Sequence, residues 1–289
     1  VRPRTAITAA AAAAALTLVG LGSATAASAG GPSHAPSHAP SHGSPGRGDA
    51  PRAVGLVDGT RLVTFSTARA GAVRTTGPLE GLTGDAELVG IDARVQDGQV
   101  YGVGDRGGVY RLDVHAATAT EVLRLTVPLQ GSAFGVDFNP VANALRIVSD
   151  SGQNLRQSFA GTDAGYPATV ADTPLTTPPA VGTTTGVTAA GYTNDDTDPA
   201  TATTLFVIGT GDDVVAVQSP ANSGTLAPTG KLGVDVSGSV GFDVTGTTGH
   251  LVVPSGGGSV LYRVSLLTGA ATEVGTLDAE VTDLALRLS

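Results

Sequence analysis

From Ala53 onward, short runs rich in Val, Leu, Ile, Phe, Tyr and Thr alternate with clusters of Gly, Asp, Asn and Pro. The punctuation returns about every 8–12 residues, the pattern of an all-β sandwich, barrel or repeat array. No stretch carries apolar residues at helical spacing for three turns, so the pattern predicts strands throughout.

The chain also repeats itself. Leu88-Val89-Gly90-Ile91-Asp92 matches Ala133-Phe134-Gly135-Val136-Asp137 and Ser239-Val240-Gly241-Phe242-Asp243. Each is followed by a second apolar run, at Gln99–Val103, Ala144–Val148 and His250–Val253. Third runs follow, clearest at Gly108–Leu112 and Ser259–Val264, and fourth runs at Ala119–Leu123 and Ala271–Gly275. A divergent copy lies between, with runs at Thr188–Thr193, Thr204–Ile208, Asp213–Val217 and Gly224–Pro228.

Complete four-strand units therefore begin near residues 88, 133, 187 and 239, a spacing that suits propeller blades. The chain opens with only three runs, at Val54–Val57, Arg61–Phe65 and Ala72–Thr76, and closes with one, Val281–Leu286. Three plus one completes a fifth unit. The expected fold is a five-bladed β-propeller over residues 53–289, closed by the C-terminal strand joining the N-terminal blade. Such pairing leaves no bare sheet edge at the joint, and it makes loss of the C-terminal strand costly. A parallel β-helix has shorter coils than these repeats, and a β-sandwich does not call for the 3+1 split.

Residues 1–29 read as a secretory signal peptide. Arg2 and Arg4 precede an apolar run from Ala6 to Leu21, and Ala27-Ser28-Ala29 supplies a small-residue cleavage site. The run is too rich in alanine, glycine and threonine to suit a membrane anchor. In residues 30–52, Pro-Ser-His recurs at Pro32, Pro36 and Pro40. Proline every fourth residue forbids a helix, and the stretch reads as a disordered spacer. The expectation is a secreted or envelope-associated monomer without membrane insertion.

The formal net charge is −9 and Lys231 is the only lysine, so no basic footprint for nucleic acid exists. The chain contains no cysteine, which rules out disulfides, a thiol nucleophile and a lipid-modified cysteine. A domain of this size can bury a core without such staples.

Residues 131–156 read Gly131-Ser132-Ala133-Phe134-Gly135-Val136-Asp137-Phe138-Asn139-Pro140, then continue to Leu145-Arg146-Ile147-Val148-Ser149-Asp150-Ser151-Gly152-Gln153-Asn154-Leu155-Arg156. Together with Leu88–Asp92 and Gly238–Asp243, this stretch resembles the core of the DUF4394 domain family, a group of uncharacterised bacterial secreted or extracytoplasmic proteins. The resemblance covers about residues 53–289. It supports the boundaries and the repeat, and implies no activity or ligand.

In a propeller the first strand of each blade lines the central channel. Asp92, Asp137 and Asp243 share one position in three such strands, with Tyr192 and Ala285 aligned to it in the other two. Converging carboxylates can bind Ca²⁺, or can act as an acid and base on a glycoside if about 5–5.5 or 6.5–9.5 Å apart. Alternatively each aspartate accepts hydrogen bonds from a neighbouring blade's backbone. Repetition favours that structural role, since an active site is usually unique.

A second polar set, Arg146, Asp150, Gln153, Asn154 and Arg156, does not repeat. An arginine in an apolar strand needs a partner, and Asp137 or Asp150 is the expected one for Arg146. Arg146, Asn154 and Arg156 also suit a ligand-facing cluster for sugars or carboxylates. Gly102 to Gly107 spells G-x-G-x-x-G but is followed by a strand, so it reads as a hairpin turn rather than a dinucleotide site. Asn194 to Asp198 reads as a solvated acidic turn.

The expected function is therefore a non-catalytic binding or scaffold module for a glycan, a small polar ligand or a protein. No cofactor is expected apart from Ca²⁺ at the aspartates. The alternatives are a glycoside-active enzyme using the channel carboxylates and a purely structural envelope protein.

Overall fold

The computed structural model describes residues 52–287. The expected leader at 1–29 and spacer at 30–52 lie outside them, save Arg52, which opens the first strand. Among the described residues helix is confined to one 3-10 turn, Ala221–Ser223, and the architecture is all-β.

Three sheets are antiparallel four-stranded meanders. The first runs β4 (Leu88–Arg94), β5 (Gln99–Gly104), β6 (Gly108–Asp113), β7 (Thr118–Arg124). The second runs β8 (Phe134–Asn139), β9 (Ala144–Ser149), β10 (Asn154–Ser158), β11 (Val170–Ala171). The third runs β12 (Val187–Tyr192), β13 (Leu205–Gly209), β14 (Val214–Gln218), β15 (Leu226–Lys231). The G-x-G-x-x-G segment is the turn between β5 and β6, where sequence reading put it.

The remaining strands form one eight-stranded sheet made of two groups. One is β16 (Gly241–Thr245), β17 (Thr248–Ser255), β18 (Gly258–Ser265) and β19 (Ala271–Leu277). The other is β20 (Val281–Leu286), β1 (Arg52–Val57), β2 (Arg61–Ser66) and β3 (Arg69–Pro78), in that spatial order. A single parallel bridge, Leu277 to Gly71, joins the two groups. The C-terminal β20 is antiparallel to the N-terminal β1, with Val54 opposite Ala285 and Leu56 opposite Asp283.

The leading strands lie side by side across the sheets. Strand β4 packs on β8 and β20, β12 packs on β8 and β16, and β16 packs on β20. Both faces of these strands are covered, which is why β8 and β12 carry buried residues almost without alternation. Outer strands such as β6 revert to alternation at their solvent end.

Apolar clusters fill the spaces between neighbouring sheets. Val54 and Leu56 meet Leu88 and Ile91, Tyr101 and Val103 meet Val136 and Phe138, and Val148 meets Leu205 and Val207. Ile208 meets Phe242, and Val252 and Leu261 meet Val63 and Phe65. The repeated Gly-x-Asp has a packing cause. A Cβ on Gly135 would stand 2.6 Å from the Ala189 Cα, and one on Gly241 would stand 2.8 Å from the Asp283 Cα. Adjacent leading strands approach backbone to backbone there, and only glycine leaves room.

Candidate functional site

The close approach of the leading strands brings their aspartates together. Carboxylate oxygens of Asp92, Asp137 and Asp243 all lie within 4.8 Å of one another, and all three residues are buried. Each reaches the backbone of the next leading strand. Asp92 accepts from the Phe138 N–H at 2.7 Å, Asp137 from Tyr192 at 3.1 Å, and Asp243 from Leu286 at 2.6 Å.

The hydrogen-bond register corrects one alignment. Phe138 follows Asp137, and Leu286 follows Ala285, so Tyr192 must follow the equivalent position in β12. That position is Gly191, not Tyr192. A Cβ on Gly191 would contact Val244 in the next leading strand, as this assignment requires.

A fourth aspartate escaped sequence reading. Asp283 sits two residues before Ala285, on the same face of β20 but one pleat along. Its Oδ2 accepts from the Ile91 N–H at 2.7 Å, which carries the chain of bonds from β20 to β4.

Burial dominates the electrostatics. Burial, then the charge of Asp243, holds the Asp92 carboxyl well above the usual carboxylate range. Asp137 is raised in the same way by burial, then by Asp92 and Asp243. Burial also raises Asp283, and Asp243 is pushed up to about 7 by burial and by Asp195. Asp195, an exposed residue of the acidic β12–β13 connection that also lines the aspartate cavity, is itself pushed up to about 6 by desolvation there and by Asp196. Like carboxylates this close avoid repulsion by keeping protons or by meeting a cation.

Three such oxygens suit a hard cation such as Ca²⁺. The cavity they line with Asn194 and Asp195 is about 20 Å³. A volume near 10–15 Å³ is about what one water needs. That volume is far smaller than a sugar ring.

The second polar set divides in two. Asp150 and Gln153 belong to the β9–β10 turn, where Asp150 accepts from the Ser132 N–H at 2.9 Å and Gln153 accepts from the Gln130 N–H at 2.9 Å. Arg146, Asn154 and Arg156 form a separate cluster facing the β12–β15 sheet. The expected partner of Arg146 was Asp137 or Asp150, and the structure gives neither. Asp137 turns to Tyr192 and Asp150 to Ser132, while Arg146 pairs with Asp172 at 2.8 Å, just beyond β11. Asp172 also holds Arg156 at 3.1 Å. Arg146 donates further to Asn154 Oδ1 and Asn222 Oδ1, each at 2.7 Å. Asn154 in turn donates to the Thr173 and Ala221 carbonyls, and its Oδ1 accepts from Gln218.

Beside this network lies a cleft of about 320 Å³ between the β8–β11 and β12–β15 sheets. Its polar lining comes from Asn139, Arg146, Arg156, Tyr192 and Asn222. Arg146 is 2% exposed, and its buried Nε has no hydrogen-bond partner. Tyr192 is 5% exposed, and its hydroxyl has no partner among the described residues. A larger, open cleft of about 1070 Å³ lies against β13 and β18. Its lining is mainly threonine and aliphatic, with Arg263 and Glu273 offsetting each other in charge, and no buried unpaired group faces it.

These features define an all-β protein of several four-stranded antiparallel sheets, with a carboxylate cluster where the leading strands meet and a donor-lined cleft between two sheets. Among the described residues no helix is long and apolar enough to cross a membrane. The chain belongs to the DUF4394 family, whose model, described as a domain of unknown function, matches residues 61–285. No curated protein matches it.

Among solved structures, one from a nidogen/laminin complex is similar at 9% identity and a TM-score of 0.46, over 82% of this chain and 85% of that one. An auxiliary nutrient binding protein from Bacteroides thetaiotaomicron is similar at 11% identity and a TM-score of 0.41, over 68% of this chain and 56% of that one. Another, from Bacteroides ovatus, is similar at 14% identity and a TM-score of 0.39, over 61% and 46%.

Proposed function

We propose that the protein is an exported, non-catalytic five-bladed β-propeller, closed by β20 joining β1–β3, that binds a small polar ligand in the cleft between the β8–β11 and β12–β15 sheets. The blade count is supported by the five inter-sheet apolar clusters and by the sequence of contacts from β4 through β8, β12, β16 and β20 back to β4. Export is supported by the basic, then apolar, then small-residue order of residues 1–29.

One observation carries the binding reading. The 320 Å³ cleft is lined by Arg146, whose buried Nε has no partner, and by Tyr192, whose hydroxyl makes no hydrogen bond among the described residues. Buried polar groups are ordinarily satisfied, so unspent capacity at a cleft points to a ligand. The aspartates, by contrast, spend their oxygens on backbone N–H groups around a cavity that admits nothing larger than a water or an ion. They act as ties between blades.

The test is thermal unfolding of the purified protein against monosaccharides, sugar acids and hydroxy acids. A ligand selective for the native state at about a hundred times its Kd stabilises it by roughly 2.7 kcal/mol. A rise in midpoint that disappears in Arg156→Gln supports the reading. A rise that persists in that variant places the ligand elsewhere, and no rise with any compound removes the support for binding of this kind.

A further inference from the structure

The lining of this cleft is one-sided in its chemistry. Arg146 and Arg156 share one carboxylate, Asp172, at 2.8 and 3.1 Å. Two guanidiniums against one carboxylate leave one positive charge beside the cavity. No aspartate or glutamate lines it. Asp137 lies opposite Arg146 in the β8–β9 register, and it is turned to the Tyr192 N–H. Burial, then the charges of Asp92 and Asp243, raises the Asp137 carboxyl well above the ordinary carboxylate range, which weakens it as a balancing charge.

Among the polar side chains lining the cleft the unspent groups are chiefly donors, while Gln218 behind them keeps one unpaired acceptor, its Oε1. Arg146 Nε lacks a partner, and Arg156 gives only Nε and one terminal nitrogen to Asp172. The oxygens of Asn139 and Asn222 are already accepting, from Ala142 N–H and from Arg146, which leaves their amide N–H groups. The Tyr192 hydroxyl completes the set. Net positive charge and surplus donors stand out in a chain whose formal charge is −9.

We infer that the cleft recognises a small ligand through one carboxylate, which accepts from the Arg156 guanidinium and the Tyr192 hydroxyl and balances the surplus charge of the Arg146–Asp172–Arg156 cluster. This rests on the binding reading above and names its ligand class. Guanidinium groups favour carboxylates because two N–H donors match two oxygens. Ligand pockets commonly span about 300–1,000 Å³, so a cleft of this volume suits a single sugar acid or hydroxy acid rather than a polymer.

Glucuronate and glucose make the deciding pair, because they share a ring and differ in the carboxylate. Calorimetric titration of the full chain should show glucuronate binding and glucose not binding. Arg156→Gln should weaken glucuronate by about tenfold or more, as loss of a charged hydrogen bond does. Tyr192→Phe should weaken it less and leave the midpoint of unfolding near the wild-type value. Arg156 is partly exposed and Asp172 keeps Arg146, so the glutamine variant should fold normally, and its unfolding curve checks this.

Equal binding of glucose would overturn the carboxylate inference and leave the binding reading standing. Inorganic phosphate competing as well as glucuronate would also overturn it, since the site would then take anions generally. Binding of neither sugar at about 10 mM, an affinity below 3 kcal/mol, would remove both.

Discussion

Replacing Asp137 with asparagine removes a charge from the aspartate cluster while keeping its shape. The amide oxygen still accepts the Tyr192 N–H, now at 3.1 Å, and the new N–H group can donate to a neighbouring carboxylate. Two unit charges 4.8 Å apart, the limit within which these oxygens lie, repel by about 3.5 kcal/mol at an effective dielectric constant near 20. Raised carboxyl pKa values at Asp92, Asp137, Asp243 and Asp283 let the wild type relieve part of that repulsion by protonation. A carboxyl whose folded pKa is raised contributes stability that is complete below its unfolded value, near 3.9, and is lost as pH rises through the folded value. For Asp243 that window runs from about pH 4 to about 7, and for Asp92, Asp137 and Asp283 it extends upward.

The wild-type unfolding midpoint should therefore fall as pH rises from 4 to 9, and the Asp137→Asn midpoint should fall less. At pH 9 the variant is expected to be more stable by about 1–3 kcal/mol, less than the full pairwise repulsion because protonation already relieves part of it in the wild type. A shift of about 2–4 °C accompanies each kcal/mol in a domain of this size. At pH 4 the two proteins should coincide within about 0.5 kcal/mol. Differential scanning calorimetry in metal-free buffer across this range reads both quantities. A variant less stable than wild type at pH 9 would refute the reasoning, because the carboxylate would then be needed in its charged form. Repeating the scan with Ca²⁺ and with chelator would show whether a cation is what needs it.

Two other perturbations follow from the same packing. Asp85 is fully buried and accepts from the Tyr110 hydroxyl and the Arg106 N–H, both at 2.5 Å, and from Arg124 at 3.0 Å. Asp85→Ala should cost about 3 kcal/mol in urea unfolding at pH 7 by stranding those donors. Burial pushes the Asp85 carboxyl up, but hydrogen bonds from Tyr110, Arg106 and Arg124 bring it below the ordinary value. The difference from wild type should therefore shrink as pH falls below about 4, and an unchanged difference at pH 2.5 would show that its charge is not the source. Deleting residues from Val281 onward removes the β20–β1 pairing and the Asp283 bond to Ile91. It should abolish the cooperative thermal transition, and a wild-type midpoint in the truncated chain would count against closure by β20.

The all-β class, most strand positions and the G-x-D repeat were legible because each has a local cause, whereas β10 and β11 were not located and β3 and β15 run beyond the residues expected. The repeat marks where leading strands pack too closely for a Cβ, against backbone at Gly135 and Gly241 and against Val136 at Gly90, and a glycine two residues before an inward aspartate is visible in the chain. The β12 alignment failed by one residue for an equally local reason. Strand β12 carries no aspartate to anchor it, and its register against β13 shifts between Val187 and Ala189. Asp283 was missed because it stands one pleat away from the repeat position, where no counterpart marks it.

The cleft was legible only in half. Arg146, Asn154 and Arg156 announced themselves as polar residues in apolar strands. Their partners did not, because Asp172 lies beyond a long excursion after β10 and Asn222 comes from the next sheet. A partner supplied by an adjacent sheet, as Asn222 is, leaves no periodic trace near the residue it serves.

The aspartate cluster and the cleft are parts of one construction, and Tyr192 is where they meet. Asp137 and Arg146 are cross-strand neighbours on β8 and β9. Asp137 reaches inward to the Tyr192 N–H, while Arg146 reaches outward to Asn222. The backbone of Tyr192 is thus tied to the aspartate cluster, and the residue lines both the aspartate cavity and the cleft. Whatever fixes β12 against β8 also sets where the phenol stands. An acceptor at position 137 is therefore a requirement for the cleft's geometry, and its charge is not. That separation is why an asparagine there can change the pH profile of stability while leaving the cleft able to bind, whereas an alanine would disturb both.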